Sequence, residues 1–422
     1  MIKSLTLCFA FLFFLSGPVM ATQLLIPMDE VQKDHLKSYG VAYWMLNREV
    51  EVDWLLNYRG GSFAFKHSAA AENELVVRGV SYQVVSDAQY DGLVALIKSP
   101  EVNMDVMKLE KVPKIAVYSP KTKQPWDDAV TLVLTYAEIP FDLLFDEEVL
   151  DQKLLKYDWL HLHHEDFTGQ YGKSVRRYRG QDWFRAQQQE SEGLAKKYGY
   201  GKVSQMKLGV VKKIKEFVAG GGFMFAMCSA TDTYDIALSA EGVDIVDALF
   251  DGDGIDPQAQ DKLDYNKTFA FKNFTISLNP YEGEFSSIDN QRQDRAGLYE
   301  GNDFFSLFTF SAKWDAIPSM LTQNHEKTIK GFMGQTTAFK SNQIKSEAII
   351  MAENKIAKEV RYMNGTAGKG FWTFYGGHDP EDYWHMPEEG PTDLALHPNS
   401  PGYRLILNNI LFPAAKKKKQ KT

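Results

Sequence analysis

The chain has 422 residues, of which 44% are hydrophobic and 24% charged, and its net charge is −8. That composition is globular and the length exceeds one compact core, so two domains are expected. The acidic balance, with no basic stripe in the body, excludes a nucleic-acid binder, and beyond the N-terminus no apolar run approaches the ~20 residues of a membrane-spanning helix.

Residues 1–21 read as a signal peptide. Lys3 is the positive charge, 5–15 is a short apolar run, Ser16-Gly17-Pro18 breaks it, and Val19-Met20-Ala21 offers small residues for cleavage after Ala21. The mature chain is therefore expected to be secreted or periplasmic. Of the two cysteines, Cys8 leaves with this leader, and Cys228 is left without an intramolecular partner. Residues 22–112 are expected to form a small α+β domain. Strand-like stretches lie at 24–27, 41–46, 53–58 and, as a pair, 74–85. A turn is expected at Arg59-Gly60-Gly61-Ser62, and a helix over 87–98 with Tyr90, Leu93, Val94 and Ile97 on one face.

From 113 to 413 strands and helices alternate, which implies βαβ units and a parallel sheet. Strands are expected at 115–118, 141–145, 158–162, 223–227 and 370–375. Helices are expected at 126–138, 203–218, 231–239 and 401–411, with Met206, Val210, Ile214 and Phe217 spaced as one face and Gly220, Gly221 and Gly222 ending the second of them. Two long interruptions stand out, near 169–202 (polar, an excursion or lid) and 245–345 (an inserted subregion with strand-like runs such as 268–278). Residues 414–422 are a basic tail containing five lysines.

Ligands of an open parallel sheet sit beyond the carboxyl ends of its strands, and three expected strand ends carry reactive side chains. Cys228 lies in Ala226-Met227-Cys228-Ser229-Ala230, between a strand and a helix. Small neighbours two positions away suit a nucleophile turn, and a helix N-terminus favours thiolate; the other reading is a buried core cysteine. His378 follows Gly376 and Gly377, which let the backbone approach a ligand. Glu381 or Asp379 could orient its ring. His161-Leu162-His163-His164-Glu165-Asp166 groups three histidines with two carboxylates. On a strand His161 and His163 share a face and His164 takes the other, and a divalent metal at His163, His164 and Glu165 is an alternative to hydrogen-bonding roles. The loop Asp251-Gly252-Asp253-Gly254-Ile255-Asp256 lacks EF-hand spacing and reads as a turn. The sequons at Asn266, Asn273 and Asn364 matter only in a glycosylating pathway.

The run 218–230, with its glycine-rich helix end and strand, resembles that of ThuA-like proteins of the class I glutamine amidotransferase-like fold. Tyr157-Asp158-Trp159-Leu160 is similar to the preceding strand, and 370–378 to the closing Gly…Tyr…Gly-His segment. The resemblance covers about 113–413 without the two long interruptions. It implies an α/β, doubly wound, flavodoxin-like parallel sheet beside the small N-terminal α+β domain. Departures are Cys228, where many ThuA-like members have His, and a His378–Glu381 spacing of three where class I amidotransferases have two. The chain is also similar to exported Bacteroidetes-type proteins labelled asparagine synthetase B. It has neither the N-terminal cysteine nucleophile nor the S-G-G-x-D-S loop of such synthetases, so that activity is not expected.

The resulting expectation is an exported protein with a ThuA- or amidotransferase-like site. It would be a thiol-dependent hydrolase or a sugar-processing protein, with Cys228 as nucleophile, His378 as base and Glu381 as its orienting group. His163, His164, Glu165, Asp166, Gly376, Gly377 and Asp379 would bind a small-molecule or glycan ligand. The alternative is a non-catalytic envelope-binding or scaffold protein. No nucleic acid or transmembrane partner is expected.

Overall fold

Short apolar runs separated by turns close a first sheet at the start of the computed structural model, which describes residues 22–121, 124–290, 295, 297–386 and 389–415. The expected leader 1–21 lies outside the described residues, as does 416–422 of the lysine-rich tail. Strands β1 (Thr22–Ile26), β2 (Val52–Leu56), β3 (Ser62–Lys66), β4 (Gln83–Ser86) and β5 (Asp105–Leu109) pair in the order β4-β1-β3-β2-β5, all antiparallel. The stretch expected as a strand at 41–46 is instead the end of the helix His35–Leu46. Asp34 caps it by accepting from the Lys37 N–H at 2.8 Å, and Leu36, Tyr39 and Tyr43 bury one face. The strand pair expected at 74–85 is the helix Ala69–Val77, capped by Ser68, followed by β4. The Ala-rich run behind a serine cap outweighs the β-propensity of Val76 and Val77.

The second sheet is mixed. Its strands are β6 (Ile115–Tyr118), β7 (Asp142–Leu144), β8 (Trp159–Leu162), β9 (Phe223–Met227), β10 (Phe304–Leu307), β11 (Thr328–Lys330), β12 (Phe339–Lys340), β13 (Ile349–Asn354), β14 (Glu359–Ala367) and β15 (Gly370–Tyr375). They run in the order β11-β10-β13-β14-β15-β9-β8-β6-β7, with β12 paired to β14. From β7 to β15 neighbours are parallel, as the alternation of strands and helices predicts. From β15 outward they are antiparallel. The reversal is local in origin. Gly368, at φ +61°, and Lys369 form a two-residue turn between Ala367 and Gly370, and a hairpin turn can only join antiparallel strands.

The segment 245–345 therefore contributes strands β10, β11 and β12 to this sheet. Within it, 268–278 forms only isolated bridges, Phe271 to Ile344 and Ile276 to Ser286. The carboxylate of buried Asp235 takes the N–H groups of Phe269, Ala270 and Phe271 at 2.7, 2.7 and 2.9 Å, leaving no ladder for a strand to extend. The excursion 169–202 carries two helices, Val175–Tyr178 and Asp182–Lys197.

One hydrophobic core serves both sheets. Leu24, Trp54 and Phe63 of the first belong to the same cluster as Phe225, Tyr375 and Ile406. The helix His35–Leu46 lies against the helix Pro401–Leu411, where Tyr39 donates its hydroxyl to Asn408 at 2.5 Å. No helix of the described residues is long and apolar enough to cross a membrane.

Candidate functional site

The carboxyl ends of β8, β9 and β15, three adjacent parallel strands, deliver the reactive side chains to one place. β8 stops at Leu162, so the alternation of faces stops with it. His163 and His164 turn the same way in the irregular backbone that follows, rather than to opposite faces as a continued strand would place them. The His163 and His164 rings are 4.9 Å apart, and His378, from the end of β15, completes the group at 4.4 Å from His163 and 5.7 Å from His164. One nitrogen from each of the three lies within 4.8 Å of the others.

These nitrogens are short of partners. Both ring nitrogens of His163, and Nδ1 of His164 and of His378, are buried without a hydrogen bond among the described residues. His163 Nδ1 does lie 3.1 Å from Asp128 Oδ2, out of line for a hydrogen bond but close enough for an ion pair. Asp128 has two tasks. Its Oδ1 caps the helix Ala129–Tyr136 by accepting from Thr131 N–H at 2.8 Å, and its Oδ2 faces His161 at 3.2 Å and His163. Burial raises the Asp128 carboxyl, but His161 and His163 outweigh it and hold the group well below the carboxylate range. Burial, reinforced by the neighbouring histidines, pushes His164 and His378 well below the usual imidazole range, so both rings are neutral donors of a lone pair. A carboxylate behind one imidazole, with neutral imidazoles beside it, is the donor set of a divalent transition-metal site of zinc type.

Cys228 begins the helix Ser229–Ser239 in the left-handed region, at φ 51° and ψ −141°. That is the strained strand-to-helix turn its small neighbours suggested. Its chemistry differs from the expectation. The thiol is 2% exposed, and burial pushes it up to about 11 against the pull of nearby backbone N–H groups, one of which, Gln335 N–H, meets Sγ at 3.2 Å. No hydrogen bond joins Cys228 to His378. Gly334 sits between them: a Cβ built on it would fall 3.0 Å from Cys228 Sγ and 3.0 Å from His378 N. Glycine is what lets this loop pass between the two strand ends. Gly377, at φ +97°, is likewise required where the chain presses on Phe332.

The remaining expected residues divide. Glu165 opens into the same cleft as His164 and His378, its carboxylate accepts no hydrogen bond among the described residues, and burial pushes it up to about 7. It stands outside the three-histidine group, so the residues here that could hold a cation are His163, His164 and His378, and not His163, His164 and Glu165. Asp166 is spent on its own loop, accepting from Thr168 N–H at 2.7 Å and Gly172 N–H at 3.0 Å. Asp379 is fully buried and binds Glu381 N–H and the Thr392 hydroxyl. Glu381 does not orient His378; its carboxylate lies 3.2 Å from His397 Nδ1, because the turn at Asp379 carries it away from the cleft. Gly376 packs against Thr337 O and acts on the backbone alone. The loop 251–256 carries no free cation site of its own: Lys202 places its ammonium among Asp244, Asp251 and Asp253.

Sequence reasoning missed Asp128 and His385. The first is legible as an N-cap before an apolar helix, the second only as another histidine near His378. His385 stacks on His378 at 4.7 Å and 3°, between Asp127 at 2.6 Å and Asp382 at 2.9 Å, which raise it to about 9. The cleft has a volume of about 430 Å³. Beside the histidines its wall is aromatic: Trp126, Tyr178 and Trp183 pack with ring centroids 5.2 to 6.2 Å apart, and Trp126 meets the His164 ring edge-on at 5.4 Å.

No family model matches the chain, and no curated protein does. Among solved structures it is similar to the cytoplasmic protein STM1381 of Salmonella typhimurium LT2, at 11% identity, over 72% of this chain and 100% of that one, with a TM-score of 0.36. The cytoplasmic protein STM3548 of Salmonella typhimurium matches at 10% identity over the same shares, with a TM-score of 0.31. Gan42B, a GH42 beta-galactosidase, matches at 14% identity over 64% of this chain and 28% of its own, with a TM-score of 0.28.

Proposed function

We propose that the chain is a hydrolase acting on an ester or amide borne by a saccharide, with His163, His164 and His378 holding a divalent cation of zinc type. The observation that carries this reading is the convergence of three imidazoles beside an aromatic-walled cleft, each with a buried ring nitrogen that has no hydrogen bond among the described residues. A cation bound there supplies Lewis acidity toward the substrate carbonyl. The protein's own part is positional. Asp128, fixed by its capping bond to Thr131, orients His163. Glu165 faces the cleft with an uncommitted carboxylate and is the base that takes a proton from the attacking water and returns it to the leaving group. The aromatic wall excludes water and offers faces for sugar rings.

A thiol-dependent hydrolase is a second reading, and the left-handed backbone of Cys228 favours it. The strand order β7-β6-β8-β9-β15 supports a doubly wound, flavodoxin-like arrangement of the parallel half, in keeping with the resemblance to ThuA-like proteins. Reading 1–21 as a leader makes the enzyme exported.

Zinc titration of the metal-stripped protein, followed calorimetrically, tests the reading. One equivalent is expected to bind in the wild type, and binding is expected to weaken at least about 100-fold in His163→Ala and His378→Ala, since each loses a ligand. Equal binding by wild type and both variants sinks the metal reading. Esterase or amidase activity that survives His163→Ala but stops on alkylation of Cys228 transfers the chemistry to the thiol.

A further inference from the structure

The excursion over the cleft carries a charge pattern that the hydrolytic centre does not use. Tyr171–Arg185 contains Arg176, Arg177, Arg179 and Arg185, in a chain whose net charge is −8. Arg185 pairs with Asp182 at 2.6 Å. The other three are exposed, and among the described residues none has a carboxylate partner. Arg177 is the one that lines the cleft, its guanidinium held 5.2 Å from the Tyr178 ring. In the same wall the indole N–H of Trp126 is buried without a hydrogen-bond acceptor among the described residues. The other cations of the cleft are committed. Lys207 is paired with Asp146 at 2.9 Å, and Lys173 gives its ammonium to the carbonyls of Ser277, Asn279 and Glu284.

We infer that this wall is an anion subsite, and that the saccharide taken by the cleft is acidic, carrying carboxylate or sulfate groups. This inference rests on the hydrolase reading and names its substrate class. An unpaired guanidinium fixed over an aromatic ring presents parallel N–H donors that match a carboxylate or a sulfate ester. Trp126 adds one neutral donor beside it, and the rings Trp126, Tyr178 and Trp183 supply apolar faces for pyranose rings. Arg176, on the short helix Val175–Tyr178, and Arg179, which follows its last residue, raise the local potential at the mouth and draw an anionic chain toward it. A saccharide is favoured over a nucleic acid because, among the described residues that line the cleft, Arg177 is the one cation without a carboxylate or carbonyl partner, in a molecule of net charge −8, and a single guanidinium is no track along which a phosphate backbone could run.

The test is calorimetric binding to the full-length chain at low and physiological salt. Three saccharide probes, tetragalacturonate, a chondroitin sulfate tetrasaccharide and neutral maltotetraose, are compared with an eight-nucleotide single-stranded DNA. At least one acidic probe is expected to bind about tenfold or more tightly than the neutral one and to lose affinity with salt. Arg177→Gln should remove that preference while its melting temperature stays within a degree or two of wild type, as expected for an exposed residue. Arg176→Gln/Arg179→Gln should mainly slow association, read by stopped flow. Carboxylate and sulfate are separated by which acidic probe wins. Equal affinity for acidic and neutral probes, absence of binding to all three, or tighter binding of an eight-nucleotide single-stranded DNA overturns the inference. Acidic binding that depends on Arg177, in a protein that hydrolyses none of the corresponding esters, upholds the subsite and removes only the hydrolase reading.

Discussion

At Cys228 backbone strain and burial act on the same residue. A non-glycine residue at φ 51° costs on the order of 1–3 kcal/mol and persists only where its surroundings over-determine it. Here they do: Ala230 N–H binds His163 O at 2.8 Å, Thr231 N–H binds Cys228 O, and Sγ is covered by the Gly334–Gln335 backbone. A thiol pushed up to about 11 is almost wholly protonated at pH 8. Alkylation of the folded protein by iodoacetamide at pH 8 is therefore expected to be about 100-fold or more slower than in urea, with a rate still climbing at pH 10. A plateau below pH 8.5 in the folded state would contradict this and restore the activated nucleophile. The position of Cys228 was legible because small residues flank it between an apolar run and a helix. Its protonation was not, since the covering loop comes from residues more than a hundred positions away. His378 shows the same division. Its glycines announced a close approach, but nothing local showed that Glu381 would turn to His397.

Among the elements, those with strong periodicity or plain punctuation were legible: β6, β9 and β15, and the helices Val203–Gly220 and Pro401–Leu411. The stretch 41–46 and the first half of 74–85 are helical rather than strands because each sits behind a capping side chain, Asp34 or Ser68, whose hydrogen bond fixes a helix start, while the second half of 74–85 does end in strand β4. The antiparallel half of the main sheet was hidden for another reason: its strands are short and separated by long irregular stretches whose N–H groups are met by side chains such as Asp235. What locks the two halves together is the entry of β15. Its first residue, Gly370, lies where a Cβ would fall 2.1 Å from Val218 O and 2.2 Å from Gly222 O, both backbone atoms that cannot swing aside. Gly370→Ala is thus expected to destabilise by about 2–3 kcal/mol, the range of overpacking with backbone displacement. Urea unfolding with unchanged slope and a lowered midpoint is the expected record. Because the chain runs from the end of β15 to His378, the proposed cation site should weaken in the same variant.

Across the whole molecule, the first sheet is fastened to the rest by contacts that no local pattern could announce. His35 binds Asn399 Oδ1 at 2.9 Å and Met28 O at 3.0 Å, and stacks on His325 at 4.0 Å. Buried Arg404 reaches His325 Nδ1, Met28 O and Gly60 O from the last helix. Both nitrogens of His35 face oxygens, which favours a proton, yet burial and the Arg404 charge prevail and lower the ring to about 4; the same causes lower His325 to about 3. The sign follows from linkage. An unfolded histidine takes its proton near pH 6.5, the folded ones only below about 4, so between these values the unfolded chain binds more protons and stability falls as pH falls. For His35 alone the loss, complete below about pH 4, is roughly 3 kcal/mol. Asp232 and Asp235, raised to about 7 and about 6 by burial, act in the opposite sense, holding protons in the fold that the unfolded chain releases. Their effect is common to wild type and to a His35→Gln variant. The difference between the two proteins in urea midpoint, measured at pH 7.5 and at pH 4.5, therefore isolates the histidine. The wild type should lose more stability than the variant over that interval. Equal losses would mean that the seam between the two sheets admits a proton on His35 without opening.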